Sequence, residues 1–221
     1  MVTGVTASEV TPESLASAVD HLRAGGVVAV ATETFFGLCA DARRASAIET
    51  VFALKGREGA KACAVIIPNT PTALDHWTTL VRDVPPLAKR LADRFWPGPL
   101  TIALPAREDV HPLLRYRGTI AVRVPAASPA LELARAFNGP LTATSANLSG
   151  SPSALTDDDV RGYFEGRGGL MILGGRAPGG MPSTVVEIGA STSETWKSDS
   201  WRVLRPGAVP ASVIESAANG A

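Results

Sequence analysis

Hydrophobic positions along the chain switch repeatedly between the spacing of a helix and that of a buried strand. In the segment 11–24, Leu15, Ala18, Val19 and Leu22 share one helical face; Thr11 supplies a cap, Pro12 a first-turn proline, and Gly25 with Gly26 the stop. Val27 to Ala31 is a β-branched run that reads as a buried strand, and Ala45, Ile48, Val51 and Phe52 mark a second amphipathic helix ended by Gly56. Ala62 to Ile67 reads as a strand, Thr70 and Pro71 open a further helix, and Pro86 to Phe95 repeats the helical spacing.

Strands crowd the second half, with candidates at Leu100 to Leu104, Thr119 to Val124, Leu141 to Thr144, Leu170 to Leu173, Thr184 to Ile188 and Arg202 to Leu204. Between them, Ser128 and Pro129 cap a helix carrying Leu131, Leu133, Ala134 and Phe137, and Asp157 to Phe164 forms a shorter one. Gly174 to Gly180 and the Ser/Thr-rich stretch 190–200 read as loops. Alternating helices and strands with no internal repeat define an α/β protein with a mixed sheet.

Composition adds mainly exclusions. With 221 residues and 45% apolar content the chain can bury a sizeable core. Its 21 Lys and Arg balance 21 Asp and Glu, so no global basic field draws RNA or an acidic membrane. The first residues include Glu9 and lack the basic start and apolar run of a signal peptide, no apolar run is long enough to span a membrane, and the expected compartment is the cytoplasm. Cys39 and Cys63 have no Cys-x-x-Cys spacing and read as buried small hydrophobes. His21, His76 and His111 are scattered, so no dedicated metal site is expected.

Three segments carry polar residues where a plain core strand would not. In ATETFFGLCADA, 31–42, a strand runs into Thr32, Glu33 and Thr34 and is expected to bend at Gly37; ligands of α/β sheets gather at such strand ends, though a capped turn fits as well. FALKGREGAK, 52–61, sets Lys55 and Arg57 about a glycine, with Lys61 one loop later. These are either dipole partners at a helix end or a pair of cations converging on polyphosphate. PLTATSANLSGSPS, 140–153, delivers Thr142, Thr144, Ser145, Asn147 and Ser149 into a turn at Gly150, which reads as a phosphate or nucleoside cradle or as an ordinary Ser turn. Arg123 lies inside an otherwise apolar strand and needs a buried anionic partner. The Walker phosphate loop, the dinucleotide-binding glycine turn and the hydrolase nucleophile elbow have no match.

Taken together, TETFFGL, Lys55-Gly56-Arg57, WPGPLT, VRVP, Ser145-Ala146-Asn147 with Ser149-Gly150, Ser183-Thr184-Val185-Val186 and LRPG resemble, in order and spacing, the YrdC-like family of threonylcarbamoyl-AMP synthases. The resemblance implies a YrdC-like twisted mixed sheet flanked by helices around a large central cavity. It sets a catalytic domain at 12–210, with an N-terminal extension at 1–11 and a C-terminal tail at 211–221. It further implies a catalytic, nucleotide-handling tetrad of Lys55, Arg57, Ser145 and Asn147, with Lys61, Thr119, Ser153 and Arg205 also against ATP and with Thr34, Arg123 and Ser183 holding threonine. Phe36 departs from the family's usual tyrosine, Glu58 and Ala62 stand where prolines are frequent, and Ile66 replaces a histidine of some long members. The extra C-terminal domain of those members, and any lid it supplies, is not expected.

The implied activity joins ATP, L-threonine and bicarbonate or CO2 into threonylcarbamoyl-AMP and pyrophosphate for transfer RNA modification. Lys55 and Arg57 would hold the charge of the leaving pyrophosphate, and Arg123 would grip the threonine carboxylate. Magnesium is expected as ATP's partner, bound through phosphate and water, and the base that deprotonates the amine stays unassigned. Implied partners are downstream tRNA threonylcarbamoyl transferase subunits, with direct tRNA or double-stranded RNA contact left open. The alternative is a binding protein for double-stranded or ribosomal RNA without catalysis.

Overall fold

The computed structural model describes residues 9–56, 62–68, 77, 79–189 and 200–220. The helix expected from Thr70, the loop expected at 190–199, Arg57 and Lys61 therefore lie outside the described residues. The chain enters through α1, Pro12–Arg23, where Thr11 accepts from the Ser14 amide at 3.2 Å and Ser14 Oγ accepts from the Thr11 amide at 2.9 Å. This reciprocal capping satisfies donors that a helix start leaves open. Ala18, Val19 and Leu22 on the predicted face are buried.

Then follow β1 (Val27–Ala31), β2 (Phe36–Cys39), α2 (Ala45–Leu54), β3 (Ala64–Ile66), α3 (Pro86–Phe95), β4 (Leu100–Pro105), β5 (Arg115–Tyr116) and β6 (Thr119–Arg123). The chain closes with α4 (Pro129–Phe137), β7 (Leu141–Ser145), α5 (Asp157–Phe164), β8 (Leu170–Gly174), β9 (Thr184–Ile188), β10 (Trp201–Arg205) and α6 (Ala211–Ala218). The described strands make one mixed sheet in the order β10, β9, β4, β6, β3, β7, β2, β1, β8, with β5 beside β6. β1 with β8, β3 with β6 and β4 with β9 run parallel; the other pairs are antiparallel.

One strand departs from expectation. Gly37 does not bend the chain out of the sheet; the reversal occurs over Thr32–Phe35, and Gly37 lies inside β2, paired with Val30 on one side and Ser145 on the other. The 211–221 segment, expected as a tail, contains α6, whose Ile214 and Ala217 are buried in the main core.

The β1 end and the centre of the sheet are covered differently, and this creates the site. Along β1, Val28 and Val30 pack with α1 and α4 while Val27, Ala29 and Ala31 pack with α2 and α5, so both faces are dry. In the centre, Leu100, Ile102 and Leu104 of β4, Ile120 and Val122 of β6 and Val186 of β9 join a core with α3 and α6. Their alternate residues, Thr101, Ala103, Thr119, Ala121, Arg123 and Val185, face an open hollow instead.

Thr142 belongs to the scaffold rather than the hollow. Fully buried in β7, its hydroxyl accepts from the Ala40 amide at 2.9 Å and donates to the Leu38 carbonyl at 3.3 Å. Thr142→Val keeps the shape but leaves a buried amide unpaired, and is expected to lower stability by about 1–3 kcal/mol. A reduced urea midpoint at unchanged slope checks this.

Candidate functional site

The hollow is a cavity of about 1080 Å³. That is at the upper end of small-molecule sites, with room for a nucleotide and a second small substrate. Its floor is the face of the sheet built from Ala64, Ala103, Ala121 and Ala143, small residues that let the central strands bury large side chains on one side and leave space on the other. Thr34, Lys55, Thr119, Arg123, Ser145, Asn147, Ser153, Ser183 and Arg205 all line this one cavity. Strands far apart in sequence thus bring together every expected site residue except Arg57 and Lys61, which fall outside the described residues.

At one end, the C-terminus of β7 runs into the 145–153 loop. Lys55, the C-cap of α2, is only 4% exposed. Its ammonium donates to the backbone carbonyl of Ser145, to that of Asn147 at 2.9 Å and to Asn147 Oδ1 at 3.2 Å. Lys55 is therefore not a solvated helix-end charge. Three acceptors of one loop converge on its three-donor head group. Ser145 Oγ donates to Asn147 Oδ1 at 2.5 Å, Asn147 Nδ2 donates to the Ser151 carbonyl, and the Ser149 amide donates to the Lys55 carbonyl at 3.2 Å. The loop is thus shaped before any ligand arrives.

The other end is cationic. Arg123 of β6 is 8% exposed, and its Nη1 donates to Glu33 Oε1 in a buried ion pair. Glu33 is the anionic partner that a mid-strand arginine requires, and the sequence showed it only as one member of a polar cluster. It stands on the Thr32–Phe35 turn, where Thr32 Oγ accepts from the amides of Thr34 at 3.1 Å and Phe35 at 3.2 Å. Arg205 donates to the Ser183 carbonyl at 2.7 Å and to Ser183 Oγ at 3.1 Å, and Ser183 Oγ also meets Thr101 Oγ1 at 2.9 Å. Loss of solvent, and then the nearby Arg123 charge, lower the Arg205 pKa. Thr119 donates to the Tyr116 carbonyl at 2.8 Å, which fixes its hydroxyl at the cavity wall.

The LRPG glycine has a packing reason. A Cβ on Gly207 would lie 2.3 Å from the Pro182 carbonyl oxygen and 2.5 Å from the Thr184 nitrogen, so only glycine lets this strand exit close against Ser183.

Both cysteines are buried at the cavity wall. Burial, then the neighbouring Cys63, push the Cys39 thiol from an ordinary 9.0 up to about 12, against a weaker opposing pull from Arg123. A raised thiol pKa means protonated, unreactive sulfur at neutral pH, and stability that declines as pH climbs from 9.0 toward about 12. Iodoacetamide at neutral pH is expected to leave Cys39 unmodified in the folded protein and to label it in urea, as read by peptide mass spectrometry.

A mixed sheet whose central strands are packed on one face and open on the other, over a cavity with a hydrogen-bonded hydroxyl-amide loop and an opposing arginine pair, defines an α/β domain with a site for small polar molecules. Residues 20–207 match the model of the Sua5–YciO–YrdC family, described as telomere recombination, and the chain belongs to that family. It is 36% identical over 200 residues to the threonylcarbamoyl-AMP synthase of Pyrococcus abyssi, covering 90% of this chain and 55% of that relative. It is also 36% identical over 173 residues to the synthase of Thiobacillus denitrificans, covering 76% of this chain and 87% of that relative. The crystal structure of P. abyssi Sua5 complexed with L-threonine superposes with a TM-score of 0.82 at 34% identity, over 95% of this chain and 58% of the other. The chain therefore spans little more than half the length of its archaeal relative. No helix among the described residues is long and apolar enough to cross a membrane.

Proposed function

We propose that the chain is an L-threonylcarbamoyladenylate synthase, a nucleotidyl-transferring enzyme that converts ATP, L-threonine and bicarbonate or CO2 to threonylcarbamoyl-AMP and pyrophosphate. The observation that carries this reading is one cavity with a prebuilt Lys55–Ser145–Asn147 loop at one end and Arg123 at the other. Relatives named for this activity, and the threonine bound by the P. abyssi protein, support it over the RNA-binding reading.

In this reading threonine lies toward Thr34, Arg123 and Ser183, and ATP toward the 145–153 loop, Thr119 and Arg205. The uncharged threonine amine takes up CO2 as a carbamate and releases a proton; a carbamate oxygen attacks the α-phosphorus, and the bond to pyrophosphate breaks. Such a displacement depends chiefly on in-line positioning and on stabilising the charge of the leaving group. The loop held by Lys55 supplies the first, with Arg57 and Lys61 assigned to the charge. No three His, Cys, Asp or Glu gather among the described residues. Magnesium is assigned as ATP's partner, carried by the phosphates and water, where it would neutralise phosphate charge. The labile adenylate requires a downstream transferase that delivers the threonylcarbamoyl group to tRNA and releases AMP.

The test is pyrophosphate release from ATP with magnesium. It should require both bicarbonate and L-threonine, and fall when glycine or serine replaces threonine. ATP breakdown indifferent to threonine would overturn the reading.

A further inference from the structure

We propose that Glu33 and Arg123 form a two-charge receptor for the ammonium and carboxylate of the amino acid, which makes Glu33 the residue that rejects acids lacking an amine. This rests on the amino-acid reading above.

Arg123 Nη1 contacts Glu33 Oε1, and no other side-chain hydrogen bond of Arg123 occurs among the described residues. A guanidinium carries five N–H donors, so most of its capacity is uncommitted. Glu33 Oε2 is buried and has no hydrogen-bond partner. A purely structural pair would satisfy both carboxylate oxygens, because an orphaned buried acceptor costs stability. The pair stands beside the cavity, with Thr32, Thr34 and Phe35 of the Glu33 turn and Arg123 itself all lining it.

Charge pairing then decides what can enter. Opening a buried ion pair is unfavourable if either charge is left alone. A ligand with only a carboxylate can take Arg123 but strands Glu33; a ligand with only an ammonium does the reverse. A zwitterion exchanges partners with both: its carboxylate replaces Glu33 on Arg123, and its ammonium replaces Arg123 on Glu33. Until then, Glu33 occupies Arg123 and withholds it from bicarbonate and from stray phosphate oxygens. The exchange moves the Glu33 side chain above a turn whose backbone Thr32 Oγ1 holds by accepting from the amides of Thr34 and Phe35.

Calorimetric titration of the wild-type chain tests this with three ligands: L-threonine, the hydroxy acid in which a hydroxyl replaces its ammonium, and the amino alcohol lacking its carboxylate. The wild type should bind threonine at least tenfold more tightly than either analogue. Glu33→Gln should lose roughly tenfold to a hundredfold in threonine affinity and bind the hydroxy acid about as well as threonine, as expected for a lost charge-assisted contact. Unchanged MgATP affinity identifies the variant as folded; if it does not fold, the wild-type comparison decides alone. Wild type that binds the hydroxy acid as tightly as threonine, or a folded Gln variant that keeps full discrimination, overturns the receptor while leaving the synthase reading intact. Binding of MgATP but of no amino acid overturns both.

Discussion

Lys55→Ala is expected to cut threonine-dependent pyrophosphate release by at least a hundredfold to a thousandfold. That is the scale seen when one positioned donor is removed from a preorganised site. The route is indirect. Lys55 holds the carbonyls of Ser145 and Asn147 and the Asn147 side chain, so its loss frees the 145–153 loop and leaves buried acceptors unpaired. A stability loss of about 2–3 kcal/mol should accompany the loss of activity. Lys55→Met separates the two contributions: it restores the buried stem but not the donors, so packing recovers in part while turnover does not. Thermal melting alongside the pyrophosphate assay checks both. Retention of activity in either variant would show that the loop keeps its shape without the ammonium.

Arg123→Ala is expected to have the largest effect on stability, about 3–5 kcal/mol, because it strands a carboxylate whose side chain is only 14% exposed. Threonine affinity should fall with it. The double variant Glu33→Ala/Arg123→Ala removes both charges and is expected to recover much of the stability while staying unable to bind threonine, a strong non-additivity between neighbours. Urea unfolding of the two single variants and the double variant measures the coupling. A double variant no more stable than Arg123→Ala would mean that the pair is not what holds this end of the cavity together.

The periodic elements were legible because their physics is local. Thr11 and Ser128 announce helix starts by their own hydrogen bonds, while the cap at Thr156 was not read from the sequence. β4 and β6 were read as strands, but that the alternation of large apolar with small or polar residues gives them unlike faces shows only in the structure. β2 was not legible, because Gly37 reads as a bend unless its partner strands are known. The 140–153 segment was read as a strand running into a polar turn, as β7 and the loop after it are, but Thr142 and Thr144 could not be sorted: whether a hydroxyl staples β2 or faces the cavity depends on register against a strand a hundred residues away.

The hydrogen bonds of Lys55 were hidden for a related reason. Its partners are mainly backbone carbonyls, which no sequence pattern displays, so the sequence alone left it open between a helix-end charge and a phosphate ligand. Glu33 was in plain view, and so was the need of Arg123 for an anion, but nothing in the spacing joined residue 33 to residue 123. The sheet joins them: β3 pairs beside β6, and β2 lies one strand beyond β7. The cavity was expected only through family resemblance, and its physical signal, the row of alanines across Ala64, Ala103, Ala121 and Ala143, appears only once the strands are aligned.

The most direct measurement is mass spectrometry of the nucleotide product formed by the purified chain from MgATP, L-threonine and carbon-13 bicarbonate. A threonylcarbamoyl adenylate carrying the labelled carbon is the expected result, absent from reactions lacking threonine. Folded protein that yields only unlabelled AMP, or no threonine-containing nucleotide, would contradict the synthase reading.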